Sequence, residues 1–250
     1  MVVALPTLKK PPIVEVVCGV FFEPIPALDP VLVGHYWTKK RHDFPNRELK
    51  APVREGPGLV VTEGPGPLRC WLITRDEERI LQLQQDRFYY NWRKRTATYP
   101  RFSGEGGVME AALREYAQLG EFLAEETAAR PVTTRVELSK IDLVPYDSTD
   151  ELRRMLPIVD ALLGWTHSPT PELGVQLAES ADGVEQLVTI SNAFLTPDLG
   201  RAVKIETRAN CAPSDDDLRG ALISLNAVLN EAFRGLFSEY AFSRFKGDDE

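Results

Sequence analysis

Residues 13–129 read as strand, helix, several strands, long helix, and residues 130–250 read as strand, helix, three strands, long helix. No other feature limits the fold so tightly. Two units that each end a β-meander in a long helix join into few architectures, because each sheet must bury one face against helices. The expected class is α+β. Duplicated βα-β-meander-α units, 1–129 and 130–250, form one curved antiparallel sheet with the long helices on one face. The TATA-binding-protein and helix-grip folds are of this kind. Identity between the halves is poor, so the match is one of order and length.

Alternation within the strands supports a sheet with one covered and one open face. Val203, Ile205 and Thr207 alternate with Lys204, Glu206 and Arg208; Val136 and Leu138 alternate with Arg135 and Glu137; Leu81 and Leu83 alternate with Gln82 and Gln84. The first strand, 13–23, is almost continuously apolar, and Gly19 inside it marks a bulge or bend. Two further strands are expected at 58–63 and 68–74, and the meander closes with 79–85 and 87–93. The stretch 45–58 reads as a loop rich in proline and charge.

Helix starts are legible from caps. Asp29-Pro30 opens one helix, with proline at its first position. Ser103 precedes the helix expected over 105–126, Ser148 with Glu151 forms a capping box, and Ser214 stands before the helix expected to run to Phe237. Pro157 predicts a kink or two short helices. The tail from Lys246 reads as frayed.

Composition excludes several classes. The 43% hydrophobic and 26% charged content is that of an ordinary globular chain. No apolar run reaches membrane-spanning length, and the apolar start is short and broken by Pro6, so a cytoplasmic protein with no membrane partner is expected. Three scattered cysteines, Cys18, Cys70 and Cys211, fit small buried hydrophobes. His35 and His42 lie two helical turns apart, about 10.5 Å, too far for one metal. The Gly64–Pro67 turn lacks any phosphate-cradle pattern, and no cofactor or metal is expected.

The densest mix of aromatic, amide and basic residues lies at 79–102. Its candidate contacts are Tyr89, Asn91, Arg93, Arg95, Tyr99 and Arg101, with Arg93, Arg95, Tyr99 and Arg101 foremost. Phe88, Tyr90 and Trp92 would pack under a helix and leave Tyr89, Asn91 and Arg93 outside. The polar strand positions Arg135, Glu137, Lys204, Glu206 and Arg208 join them as binding candidates, although cross-strand pairing of opposite charges is the simpler account of them.

The segment Leu81-Gln-Leu-Gln-Gln-Asp-Arg-Phe-Tyr-Tyr-Asn-Trp-Arg, followed by Tyr99-Pro100, resembles a sporadically distributed family of uncharacterised bacterial proteins. The opening Pro11-Pro12-Ile-Val-Glu-Val-Val, the Arg135-Val-Glu-Leu-Ser-Lys-Ile-Asp strand and the helix bearing Leu225 and Phe233 fit it too. The resemblance implies a single full-length unit and no particular activity.

Three functions stay open. The first is a binding module without catalysis, whose partner is another protein recognised by Tyr, Trp and Arg contacts. The second is nucleic-acid binding through the same stretch, against which the net charge of −8 counts. The third is a hydrolase using Glu137, Asp142 and Glu206 with Lys204.

Overall fold

The computed structural model describes residues 8–52, 69–95, 99–163, 172–195, 200–214 and 217–247. Among these residues lie nine strands and six helices, an α+β chain. The strands are β1 (Ile13–Phe22), β2 (Asn46–Lys50), β3 (Arg69–Ile73), β4 (Arg79–Gln84), β5 (Arg87–Arg93), β6 (Thr133–Pro145), β7 (Gly174–Ala181), β8 (Val184–Leu195) and β9 (Gly200–Cys211). The helices are α1 (Pro30–Lys40), α2 (Val108–Thr127), α3 (Thr149–Met155), α4 (Pro157–Leu163), α5 (Leu218–Leu236) and α6 (Glu239–Lys246). The strands follow the order β2-β3-β4-β5-β1-β6-β9-β8-β7 in an antiparallel sheet.

Contacts divide the chain into two units. One groups Val16–Glu137 with Ala212–Leu222; the other groups Met1–Glu15, Leu138–Cys211 and Ile223–Glu250. The sequence boundary near 129 is therefore not where contacts separate, because β1, β6 and α5 each contribute to both units.

In the unit built on Val16–Glu137, β4 and β5 form a hairpin that closes at Gln84 opposite Arg87. The Asp29 carboxylate accepts from the Val31 and Leu32 amides at 2.9 Å each, so α1 begins where its cap and proline place it. Helix α2 meets β5 through Tyr116, whose ring lies 5.6 Å from Phe88, and meets α1 through Phe122, 5.0 Å from Tyr36. It starts at Val108, later than Ser103 suggests. Gly107 occupies the cap position with no side-chain bond, because a Cβ there would meet the Phe102 and Gly104 carbonyls at 2.8 and 2.9 Å. Strand β2 falls inside the stretch read as a loop. Its residues Asn-Arg-Glu-Leu-Lys carry no strand signal, and pairing with β3 alone holds it extended. The strand expected at 58–63 lies outside the described residues.

In the other unit, Leu156 separates α3 from α4, and Pro157 opens α4, as the proline requires. Ser148 accepts from the Glu151 amide, while the Glu151 carboxylate reaches back to the Asp147 amide at 2.6 Å, one residue before the cap. Asp182 and Gly183, at φ 52° and 76°, turn β7 into β8, the pair of positive angles that a tight hairpin needs. Helix α5 is capped by Asp217, which accepts from the Gly220 amide at 2.8 Å, in place of the expected Ser214. Beyond it lies α6, capped by Ser238, where the sequence suggests only the end of a helix and a frayed tail. Ala241, Phe242 and Phe245 from α6 join Phe233, Met155, Leu156, Ile190 and Ile205 in a buried cluster. Full burial of each such side chain is worth about 1.5–3 kcal/mol.

Candidate functional site

Cross-strand register decides which side chains share a surface. Directly opposed residues point the same way, so Glu48, Trp71, Gln82 and Tyr89 form one row across β2, β3, β4 and β5. Asn91 and Ile80 oppose one another, as do Arg87 and Gln84. Phe88, Tyr90 and Trp92 alternate with this set and belong to the face that meets α2 at Tyr116.

The polar row is shielded, not open. Tyr89 is 7% exposed, Asn91 3%, Gln82 6% and Arg87 6%. This corrects the expectation that Tyr89 and Asn91 stand outside. Hydrogen bonds explain how the amides tolerate it: Arg69 Nη1 donates to Gln82 Oε1 at 3.1 Å, and Gln82 Nε2 donates to Asn91 Oδ1 at 2.7 Å. Arg87 is clamped by Asp86 through two bonds, of 2.9 and 2.7 Å. The Arg87 guanidinium lies 4.8 Å from the Phe21 ring centre and Arg135 lies 3.8 Å from it, while Tyr89 meets Phe21 edge-on at 5.7 Å. Gly19 makes room for that stack. A Cβ there would sit 2.7 Å from Tyr89 Cε1 and 3.3 Å from Glu137 Cβ. The glycine in β1 thus serves a close approach between side chain and backbone.

Next to this stack, three cations surround Trp71. Lys50 Nζ lies 5.0 Å, Arg69 Cζ 5.4 Å and Arg93 Cζ 5.2 Å from its ring centre. Two donors in the group, Trp71 Nε1 and Arg69 Nε, are buried and find no acceptor among the described residues. Burial pulls the Arg69 guanidinium below its ordinary pKa, and the nearby Tyr89 only partly offsets this. Five cations, Lys50, Arg69, Arg87, Arg93 and Arg135, stand in this layer of a chain whose net charge is −8. Arg69, Trp71 and Lys50 escaped the sequence reading, although alternation in 69–73 already puts Arg69 and Trp71 on one face.

The remaining candidates are dispersed. Arg95 is exposed and pairs with Glu77 at 3.2 Å, and Arg101 is exposed. Tyr99 packs edge-on against Trp92 at 5.2 Å, away from the polar row. In the other unit Lys204 and Glu206 pair with each other at 3.1 Å, and Arg208 stands half-buried opposite Leu187. Asp142, which the hydrolase reading needs, is 3% exposed, and burial pushes its carboxyl up to about 7 against the opposing pull of Lys140. Lys140 itself is buried and donates to Asn230 of α5 at 2.6 Å. Among the described residues no three His, Cys, Asp or Glu side chains gather to hold a metal ion. Cys18 and Cys70 are buried thiols, and Cys211 is half-buried.

A second concavity, about 570 Å³, opens between α1 and α2. At its floor Lys40 meets Glu115 at 2.5 Å and Gln118 at 2.6 Å, and the buried Tyr36 hydroxyl finds no partner among the described residues. Burial, reinforced by Glu115, raises the Tyr36 pKa and holds it neutral.

No family model matches the chain, and neither a curated protein nor a solved structure matches it. No described helix is long and apolar enough to cross a membrane.

Proposed function

We propose that this chain is a non-catalytic binding protein whose contact surface is the half-buried set Lys50, Arg69, Trp71, Arg93 and Arg135 beside the shielded amide row, and that its partner is a protein segment rich in carboxylates. One observation carries the reading: three cations converge on Trp71 while its indole N–H and the Arg69 Nε–H lie buried without acceptors. A buried donor left unsatisfied costs about 1–3 kcal/mol, and a ligand that supplies an oxygen recovers that amount. Arginine and tryptophan also carry most of the energy in protein contacts when they are held rigidly. Arg69, Arg93 and Arg135 are the anchoring cations here, and Tyr89, Asn91 and Glu137 hold the layer in place. The duplicated architecture, with helices over one sheet face, belongs to the same proposal. Its support is the repeated order of strand, helix, meander and long helix.

The test is a titration followed by the indole N–H resonance of Trp71, identified by its loss in Trp71→Phe. The probe is an oligoglutamate peptide. The resonance is expected to shift saturably, and Arg93→Gln is expected to weaken binding at least tenfold. A resonance that ignores the peptide but moves with a single-stranded oligonucleotide, with binding falling steeply as salt rises, assigns the surface to nucleic acid instead. If neither probe moves it, the surface does not bind anionic chains.

A further inference from the structure

The two ends of the strand order differ in a way that internal packing does not require. At one end, β2 is short and carries Arg47, Glu48 and Lys50, the charges that keep an edge from pairing with other chains. At the other end, β7 has eight residues with no proline, lysine or arginine. All of them are exposed except the half-buried Val175. The side of β7 that its register aligns with buried Ile190 and Val188 carries Val175, Leu177 and Glu179. Leu177 is nonetheless 43% exposed although its partner Val188 is only 6% exposed. It borders a cleft of about 790 Å³ floored by Val188, Val228, Ala232 and Leu236. Among the described residues that line the cleft, the charged ones are Glu179 and Glu231.

From this geometry we infer that β7 accepts an added strand from another protein, an extended segment that presents apolar and cationic side chains on one face, two residues apart, as Leu177 and Glu179 stand on β7. Its backbone completes the ladder along the outer edge of β7. Its apolar side chains enter the cleft beside Leu177, and its cations meet Glu179 and Glu231. Main-chain bonds supply the affinity in such additions and the alternate pockets supply the choice of partner. Charge decides between candidate occupants. A second copy brings its own net charge of −8 and its own Glu179, whereas a basic strand meets complementary carboxylates. This surface lies wholly in the unit containing Leu138–Cys211 and Ile223–Glu250, so the inference does not depend on the Trp71 surface.

The test uses the full chain and a fluorescent synthetic peptide of Thr-Val-Thr-Lys repeats, which sets valine and lysine in turn on one face, read by anisotropy. Saturable binding is expected. It is expected to weaken at least tenfold when alternate peptide amides are N-methylated, which removes ladder donors and keeps composition. The same loss is expected in Glu179→Lys/Glu231→Lys, whose exposed positions leave the melting temperature unchanged. Trp71→Phe is expected to bind this peptide as the wild type does. Absence of saturable binding, undiminished binding by the N-methylated peptide, or equal binding by a Thr-Val-Thr-Glu peptide overturns the inference. A dimer seen by sedimentation velocity and abolished by Leu177→Pro would give the edge to a second copy and overturn it too.

Discussion

Asp142 illustrates how one side chain couples burial to pH. It lies on β6 at 3% exposure with its carboxyl pushed up to about 7, against about 3.9 for an unfolded aspartate. The folded chain therefore holds a proton that the unfolded chain has already released between about pH 4 and 7. The stability this proton linkage contributes is fully present below pH 4 and is lost as pH rises through 7. Urea unfolding is expected to show this decline, and Asp142→Asn is expected to flatten it and raise stability at pH 8 by several kcal/mol. An unchanged pH slope in the variant would show that Asp142 ionises normally. Sequence alone marks Asp142 as a candidate acid or base in a strand; it does not reveal that packing removes its solvent. Gly19 is a similar case. Its place in an apolar strand is legible as unusual, but the reason is the Tyr89 ring, seventy positions later in the chain.

At the scale of elements, local chemistry was a good guide wherever the deciding atoms are near in sequence. Asp29-Pro30, Ser148 with Glu151 and Pro157 each act within four residues, and each appears where expected. Ser214 was the wrong cap for the last long helix because three acidic residues follow it, and Asp217 stands nearest the first helical turn. Gly220 belongs to the same device, since a Cβ there would lie 2.2 Å from Asp217 Oδ2. Replacing Asp217 by Ala is expected to cost about 0.5–2 kcal/mol, measured by the shift in urea midpoint at constant slope. Ser214→Ala is expected to change it little, and the reverse order of effects would restore Ser214 as the cap. Strand β2 is illegible because four of its five residues are polar and its pairing with β3 holds it extended. Helix α6 was readable in principle from Ser238 followed by Phe242 and Phe245 at helical spacing, but it is short and close to the chain end.

For the whole molecule, the division of contacts has a consequence for fragments. Each unit draws on both sides of residue 129: one takes Ala212–Leu222 from the second half, and the other takes Met1–Glu15 from the first. Fragments 1–129 and 130–250 expressed separately are therefore expected to lack dispersed amide spectra and cooperative melting. Mixed together, they are expected to recover both in part. Independent cooperative folding of either fragment would show that the sequence halves are autonomous domains.

The sequence by itself determined the α+β class, the starts of α1, α3 and α4, the β4–β5 hairpin and the two-face alternation of the strands. These depend on backbone angles, caps and residue periodicity, which are properties of neighbours in the chain. Only the tertiary structure decided that the polar face is shielded, that Lys50, Arg69 and Arg93 surround Trp71, and that β7 lies at one end of the strand order. Alternation gives a strand two faces, but the desolvation of each face depends on which strands lie beside it. That pairing is set by contacts between segments tens of residues apart, and no local preference encodes it.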